Sequence, residues 1–320
     1  MKELNLQNFI EESGLLKEVK KITTIKVNGL PSKEDIMKEF KEAFLDYFSD
    51  IDGKILEKYS EVLESYDILV NPKKSVINTT LYVIITKECM KTICFSDKVL
   101  VLNGIITLVN VKEAYAKNNS IVKFEGNSDC HIKALDKSIV TISNKATGHF
   151  YDESRGIAKG DSYAYFENSG SRGENIVTDS AKATACGDRK TLCLEKSFCK
   201  FKKDGYRGTL YDESAAIAED GAVISCFDKA KAIGKDYSTI YAYENSSIEL
   251  KDFSRCFLNE NAKVKAEDTT VVYVRNSIIT RDEETPTAIM KGDSVIFMEE
   301  GINKEKIVLK GESISIAYKQ

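Results

Sequence analysis

Hydrophobic and polar residues alternate within an eight-residue period between residues 213 and 276. This stretch divides into eight octads with no residue gained or lost: ESAAIAED, GAVISCFD, KAKAIGKD, YSTIYAYE, NSSIELKD, FSRCFLNE, NAKVKAED and TTVVYVRN. The second place of each octad is small, the fourth is mostly aliphatic or Cys, the sixth is apolar or small, and the eighth is Asp, Asn or Glu. Such alternation is typical of a short strand followed by a turn. The repeat predicts a β-solenoid, in which each rung buries its inward side chains by stacking on its neighbours.

The outward residues predict how many octads make one rung. When alternate octads are grouped, one group carries mainly Lys and Glu at its outward places, and the other carries mainly Leu, Tyr and Phe. A rung of three octads would mix these two groups. We therefore predict a mainly β protein, a flattened parallel solenoid with two octads per rung, in which one sheet is charged on its outer face and the other is aromatic.

Helical patterns precede the octads, and irregular strands follow them. In residues 1–68 apolar residues recur at spacings near 3.6, with Ser32 as the predicted N-cap of a helix and a break at Asp52-Gly53. Residues 69–279 are predicted to form the solenoid, with irregular first rungs to about residue 117, and residues 280–320 an irregular β cap. The apolar face of the helices has three candidate uses: it packs on the solenoid and caps its open edge, it dimerises, or it grips a partner.

Composition narrows the functional classes. The formal charge of −4 and pI of about 5.6 make no global case for nucleic-acid or membrane binding, so nucleic acid is expected only through a protein partner. The first residues lack the apolar core of a signal peptide, and no run reaches the roughly 20 apolar residues of a membrane span. The eight cysteines show no CxxC pair and no zinc-ligand spacing. We therefore expect a protein of the reducing cytoplasm.

Octads such as NAKVKAED, GAVISCFD and YSTIYAYE resemble those of the short-period repeat proteins carried by many bacteriophages and bacterial mobile elements. They are similar, more distantly, to the octapeptide solenoids of ice-nucleation proteins. The resemblance covers about residues 120–278 and implies the solenoid architecture. Lys, Glu and Tyr replace the threonine-rich outer rows of the ice-nucleation pattern, so ice binding is not expected.

The aromatic group of outward residues is the leading candidate site. Its members are Leu192, Tyr206, Leu210, Phe227, Tyr241, Tyr243, Phe257 and Tyr273. Monomers seldom expose so continuous an apolar strip. We therefore expect this strip to be covered by the chain's own helices, by a second copy or by a foreign protein.

Four arginines form a candidate anion-binding site. Arg172 and Arg207 fall on places that should point inward, and because a buried guanidinium is costly, we predict bulges that turn them outward. Together with Arg155 and Arg189 they could bind carboxylates or phosphates. The alternative is that these arginines pair with nearby acids in surface loops.

The two histidines, His131 and His149, are predicted to share an outward place one rung apart. They are weak metal candidates, because no third ligand is evident. The sequence contains no Gly-rich phosphate loop, no HExxH and no GxSxG, and its carboxylates are too abundant to single out a catalytic pair. We therefore expect neither an enzyme nor a cofactor.

Three functional hypotheses follow. The leading one is a non-enzymatic, intracellular protein-binding scaffold with a possible homodimer through residues 1–68 or the aromatic strip. By analogy with phage repeat proteins, it predicts an inhibitor of a host defence complex, such as a nuclease or an RNA-guided effector. The second is a self-assembling structural rod or virion component. The third is a small-ligand or phosphate-binding protein, or an enzyme, that uses the region of Arg155, Arg172 and Arg207.

Overall fold

The chain folds into a parallel β-solenoid built from two sheets, with helices at its N-terminal end, which confirms the predicted fold class. The structure is a computed structural model that describes residues 4–17, 32–77, 81–169, 173–203, 207–274, 287–291, 294–298, 307–309 and 315–318. The chain divides into two compact units, Met1–Ser154 and Arg155–Gln320. In each unit we call the sheet of odd-numbered strands sheet A and the sheet of even-numbered strands sheet B.

The first unit contains the helices and eleven of the described strands. The helices are α1 (Leu6–Glu12), α2 (Lys33–Glu42), α3 (Phe44–Phe48), α4 (Gly53–Lys58) and α5 (Ser60–Glu64). The strands are β1 (Ile68–Val70), β2 (Val76–Ile77), β3 (Tyr82–Ile85), β4 (Met90–Cys94), β5 (Lys98–Val101), β6 (Ile105–Val109), β7 (Glu113–Ala116), β8 (Ile121–Gly126), β9 (His131–Ala134), β10 (Ile139–Asn144) and β11 (Thr147–Phe150).

All the regular secondary structure described in the second unit consists of strands. They are β12 (Arg155–Ala158), β13 (Tyr163–Phe166), β14 (Asn175–Val177), β15 (Lys182–Ala185), β16 (Thr191–Cys193), β17 (Phe198–Lys202), β18 (Arg207–Leu210), β19 (Ala215–Glu219), β20 (Val223–Cys226), β21 (Lys231–Gly234), β22 (Thr239–Ala242), β23 (Ser247–Leu250), β24 (Arg255–Leu258), β25 (Lys263–Ala266), β26 (Val271–Val274), β27 (Thr287–Met290), β28 (Val295–Met298), β29 (Ile307–Leu309) and β30 (Ser315–Tyr318).

Two octads make one rung, as predicted. Val223 of β20 pairs with Thr239 of β22, and Thr239 pairs with Arg255 of β24, so that neighbouring strands of one sheet are 16 residues apart. The second, fourth and sixth places of the octads are buried, as at Ser238, Ile240 and Ala242. The inward side chains therefore form the core between the sheets, and the outward places of alternate octads lie in straight rows along each face.

The acidic eighth place makes the turn. Seven of the eighth-place residues have positive φ, between 45° and 60°, and the N–H of the small second-place residue that follows closes the turn, as Ser238 N donates to Lys235 O at 3.0 Å. Asp and Asn adopt this left-handed conformation more readily than most residues. The octad spacing thus encodes a strand and its turn together.

The helices bury their apolar face within the first unit. Phe9, Phe40 and Phe48 form one cluster that continues onto Ile84 and Leu100 of sheet A. Ser32 is the N-cap of α2, as predicted, and forms a capping box with Asp35, and Asp52 caps α4 at the predicted break. Of the three candidate uses of this face, packing on the solenoid is the one that the structure contains.

The predicted boundaries at residues 68 and 280 stay predictions, because the compact units divide elsewhere. The strands after residue 286 that the structure describes extend the two sheets in parallel register, as Tyr273 pairs with Phe297 and Phe297 with Ala317. Across the described ranges, no helix has the length and apolar character needed to cross a membrane.

Candidate functional site

A row of stacked aromatic rings runs along the outer face of sheet B in the second unit. We call Tyr241, Phe257, Tyr273 and Phe297 the central ladder. Their ring centroids are 4.7–5.0 Å apart and their planes differ by 9–11°. Parallel strands in register place these residues opposite one another, so each ring stacks on the next rung's ring. The ladder is half-buried by its own stacking.

Two further ladders flank the central one. The corner ladder, Tyr211, Phe227 and Tyr243, follows the strands of sheet B, with centroids 5.1 and 4.8 Å apart. The turn ladder, Tyr237 and Phe253, precedes them, with centroids 5.1 Å apart. Tyr237 and Phe253 are 62% and 54% exposed. Aromatic residues therefore lie before, on and after β22, where Thr239 is the other outward residue, and before and on β24, where Arg255 is.

The ring geometry restricts what this face can bind. Near-parallel rings at stacking distance offer their planes mainly to each other and turn their edges and tyrosine hydroxyls outward. Stacking of sugars, nucleobases or cations on ring faces needs an open face. Apolar edges that alternate with hydroxyl groups match the chemistry of Tyr-rich protein-binding surfaces instead.

Leu210 is a correction to the predicted site. It points inward, fully buried, and pairs with Cys226, whereas Thr209 occupies the outward place. The step from Thr191 to Gly208 is 17 residues, while the next step, from Gly208 to Ile224, is 16. One extra residue before β18 shifts its phase, which turns Leu210 in and leaves Arg207 exposed, as the predicted bulge requires.

Leu192 lies outward on β16, half-exposed, and the remaining aromatic residues of the predicted strip belong to the central and corner ladders. Tyr206 and Arg172 lie outside the described residues.

The outer face of sheet A in the second unit is charged, as predicted. It carries paired Lys and Glu, with Lys200 and Glu219 at 2.9 Å and Lys265 and Glu267 at 2.8 Å. This face is a solvated, ion-paired surface.

A column of carboxylates borders the corner ladder. We call Asp179, Glu195, Asp212, Asp228, Glu244 and Glu260 the acid column. Each carboxylate accepts a hydrogen bond from the backbone N–H one rung earlier, as Asp212 N donates to Asp228 Oδ2 at 3.0 Å and Glu244 N to Glu260 Oε2 at 2.8 Å. These bonds satisfy turn amides that no strand pairs.

Crowding along the acid column affects Glu244. The backbone N–H of Asp228 donates to the Glu244 carboxylate and lowers the pKa of Glu244. Partial burial and the nearby carboxylates of Asp228 and Glu260 raise this pKa and outweigh the hydrogen bond. The pKa of Glu244 is therefore raised.

Arg155 and Arg189 are held by backbone carbonyls. Arg155 Nε donates to Glu174 O at 2.8 Å, and Arg189, which is 3% exposed, donates through Nη1 to Gly173 O at 3.1 Å and through Nη2 to Ser169 O at 2.9 Å. Both guanidinium groups thus support the irregular rung at these positions. Anion binding by this region stays a prediction.

The predicted histidine stack is wrong. His131 pairs with Thr147, and His149 pairs with Lys133, two places further along the strand. The extra two residues of this rung lie before His131, because Glu113 pairs with His131 at a step of 18 while Ile105 pairs with Ile121 at a step of 16. Within the ranges that the structure describes, no group of three His, Cys, Asp or Glu side chains could hold a metal.

The first unit contains two features that the sequence pattern did not single out. Met90, Ile105 and Ile121 form an exposed aliphatic stripe, being 81%, 49% and 42% exposed on adjacent strands of sheet B. A polar cleft of about 860 Å³ lies between α4 and the nearby turns, where Asp52 and Lys117 are among its lining residues. Neither contains a residue of the predicted sites.

Sequence reasoning also missed the turn ladder and Phe297. Tyr237 and Phe253 occupy the first place of their octads, which is a turn place rather than an outward strand place, so sorting strand residues passes over them. Their 16-residue spacing was the available signal. No family model, curated protein or solved structure matches the chain, so the candidate site rests on this geometry alone.

Proposed function

We propose that the chain is a non-enzymatic protein-binding scaffold and that the outer face of sheet B in its second unit is the binding surface. The central ladder carries this proposal. Four in-register aromatic side chains are flanked by two further ladders, and their outward edges combine apolar contact area with hydroxyl groups. Tyrosine supplies a large contact area at a small cost in conformational entropy, which is why it is enriched at protein interfaces.

The location of the helices supports the same proposal. The apolar cluster of α1 to α5 draws its strand residues from β1, β3, β5 and β7 of sheet A in the first unit. Tyr237 and Phe253 remain more than half exposed. A contiguous exposed aromatic surface on a folded chain is the kind of patch that marks an interaction site.

The test compares a surface variant with a matched control. Tyr241→Lys combined with Phe257→Lys places two charges on the central ladder, and Ile233→Lys places one on the outer face of sheet A in the same rung as Tyr241. Full-length chains are immobilised and exposed to lysate of the native host, and retained proteins are compared by mass spectrometry. We expect the retained protein to be lost with the double variant and kept with the control, since an unpaired charge in an apolar contact costs several kcal/mol.

A retained protein that is insensitive to the double variant would contradict the proposal. The resemblance to phage repeat proteins supports a narrower version, inhibition of a host defence complex. It is tested by expressing the wild-type chain and the double variant in cells that carry an active RNA-guided nuclease. Protection of the targeted DNA by the wild type alone is expected, and equal cleavage in both strains would rule out that version for this nuclease.

A further inference from the structure

Opposite charges lie on the two sides of the line of outward places that runs through Leu192, Thr209 and Ser225 into the central ladder. On the side where the strands of sheet B begin, Lys190, Arg207 and Arg255 occupy one line, because Thr191 pairs with Gly208 and the register continues through β18, β20, β22 and β24. We call these three residues the cation row. On the other side, where the strands end, runs the acid column. Arg207 and Arg255 thus border this line on one flank, with Val223 and Thr239 between them, and the acid column borders it on the other.

Each member of the cation row has a carboxylate at its own rung. Five residues after Lys190, Arg207 and Arg255 come Glu195, Asp212 and Glu260, respectively. Five residues of extended chain span roughly 16 Å, too far for an ion pair across the face. Lys190 already pairs with Glu174 at 3.0 Å, so the two charges left for a partner are those of Arg207 and Arg255. The layout therefore suits a binding partner that presents the same two charges in mirrored order.

Resting on the proposed function, we propose that this partner is a second copy of the chain, packed face to face on sheet B with a twofold axis parallel to the direction in which the strands stack. Rotation about that axis exchanges the two flanks and keeps the rung level. Arg207 of one copy then faces Asp212 of the other, and Arg255 faces Glu260. A twofold axis parallel to the strands would place cation row on cation row, which like-charge repulsion disfavours.

Beside the line of the central ladder, side-chain sizes are complementary in the same arrangement. The corner ladder lies two places after the central ladder, and the residues two places before it are Val223 and Thr239 at β20 and β22. In the proposed dimer Phe227 faces Val223 of the second copy, and Tyr243 faces Thr239. Large rings thus meet small β-branched residues, as facing sheets require for interdigitation.

The area is sufficient for a stable dimer. The even-numbered strands from β12 to β30 cover roughly 43 Å at the usual spacing between strands, and the face is roughly 16 Å wide from the cation row to the acid column. Each copy would bury about 700 Å², or about 1,400 Å² in total. Specific interfaces bury about 1,200–2,000 Å².

The test uses two charge-reversed full-length chains. In a dimer of Arg255→Glu chains, the introduced carboxylate would meet Glu260 twice, and in a dimer of Glu260→Arg chains, the introduced guanidinium would meet Arg255 twice. Each homodimer should weaken at least about tenfold, because like charges in contact are costly. In an equimolar mixture both contacts become attractive, so native mass spectrometry should show the mixed dimer in preference to either homodimer.

Glu260→Arg removes a turn hydrogen bond, which affects folding as well as the interface. A second measurement therefore uses variants that leave the acid column unchanged. Central-ladder residues lie next to the proposed axis, so each should face the same residue of the second copy. Tyr241→Cys and Tyr273→Cys should therefore each cross-link to themselves with a bismaleimide of about 10 Å, the distance between packed sheets. With a twofold axis parallel to the strands, at most one of the two positions would cross-link.

The outcomes separate this inference from the proposed function. If the wild-type chain is a monomer and retains a host protein that the ladder variant does not retain, the dimer proposal is wrong and the protein-binding proposal stands. A dimer that is indifferent to both the charge reversals and the ladder variant would also overturn the dimer proposal. A monomer whose retained proteins do not respond to the ladder variant would overturn both proposals.

Discussion

Replacing Asp228 tests whether the acid column stabilises the solenoid. Asp228 has a φ of 53°, accepts from Asp212 N at 3.0 Å and donates its own N–H to Glu244 at 2.6 Å. In Asp228→Ala the left-handed conformation costs about 1–2 kcal/mol, and the lost carboxylate bond about 0.5–1.5 kcal/mol. Asp228→Asn retains an oxygen acceptor and a residue that tolerates this conformation, so it should cost about 0.5 kcal/mol or less.

The assay is thermal unfolding of the full chain, followed by far-ultraviolet circular dichroism. Asp228→Ala should lower Tm by roughly 3–14 °C, at about 2–4 °C per kcal/mol for a unit of this size. Asp228→Asn should lower it by less than about 2 °C, and Lys229→Ala, the exposed neighbour in the same turn, should have little effect. Equal Tm values for the Ala and Asn variants would refute the role of the left-handed turn, and no loss in either would refute the column's contribution.

Three further predictions concern the carboxylates, the core and the thiols. Because the folded-state pKa of Glu244 is raised, ionisation of this carboxyl group opposes folding at neutral pH, and its protonation favours folding. Glu244→Gln should therefore raise the urea midpoint of unfolding at pH 7. The gain should disappear at about pH 4, where the wild-type group is protonated, and a gain that persisted unchanged there would contradict this prediction. Gly208→Ala should destabilise by about 1–3 kcal/mol, because the new Cβ would lie 2.4 Å from the Phe201 ring, and Phe201→Leu should rescue part of this loss in urea titrations. Cys226 and Cys256 are buried and their pKa values are raised by burial, so a thiol reagent should leave them unmodified until the chain unfolds; rapid labelling in the native state would be the contrary result.

The octad predicted the fold because each of its places has one structural role. Ser238, Ile240 and Ala242 alternate inward, and an acidic residue closes each turn, so period and parity together specify rung size and sheet faces. The helix cap at Ser32 followed from an equally local signal.

Insertions limited what the sequence could predict. A break in the repeat shows that the chain contains an inserted residue. The number of residues between two octads is the same whether the insertion lies before or after the strand, so the repeat does not locate it. Leu210 and His131 were therefore assigned the wrong phase or the wrong neighbour. The charge layout of sheet B also needed the register, since Arg207 and Arg255 are three rungs apart and share a line only once the strands are paired.

The molar mass of the chain in solution, measured by light scattering over a range of concentrations, tests most directly whether sheet B binds a second copy. We expect a mass of twice 35.8 kDa for the wild-type chain and for Ile233→Lys, and of 35.8 kDa for Tyr241→Lys combined with Phe257→Lys. A wild-type chain that stays at 35.8 kDa at every concentration, or a double variant that stays at twice that mass, would contradict it.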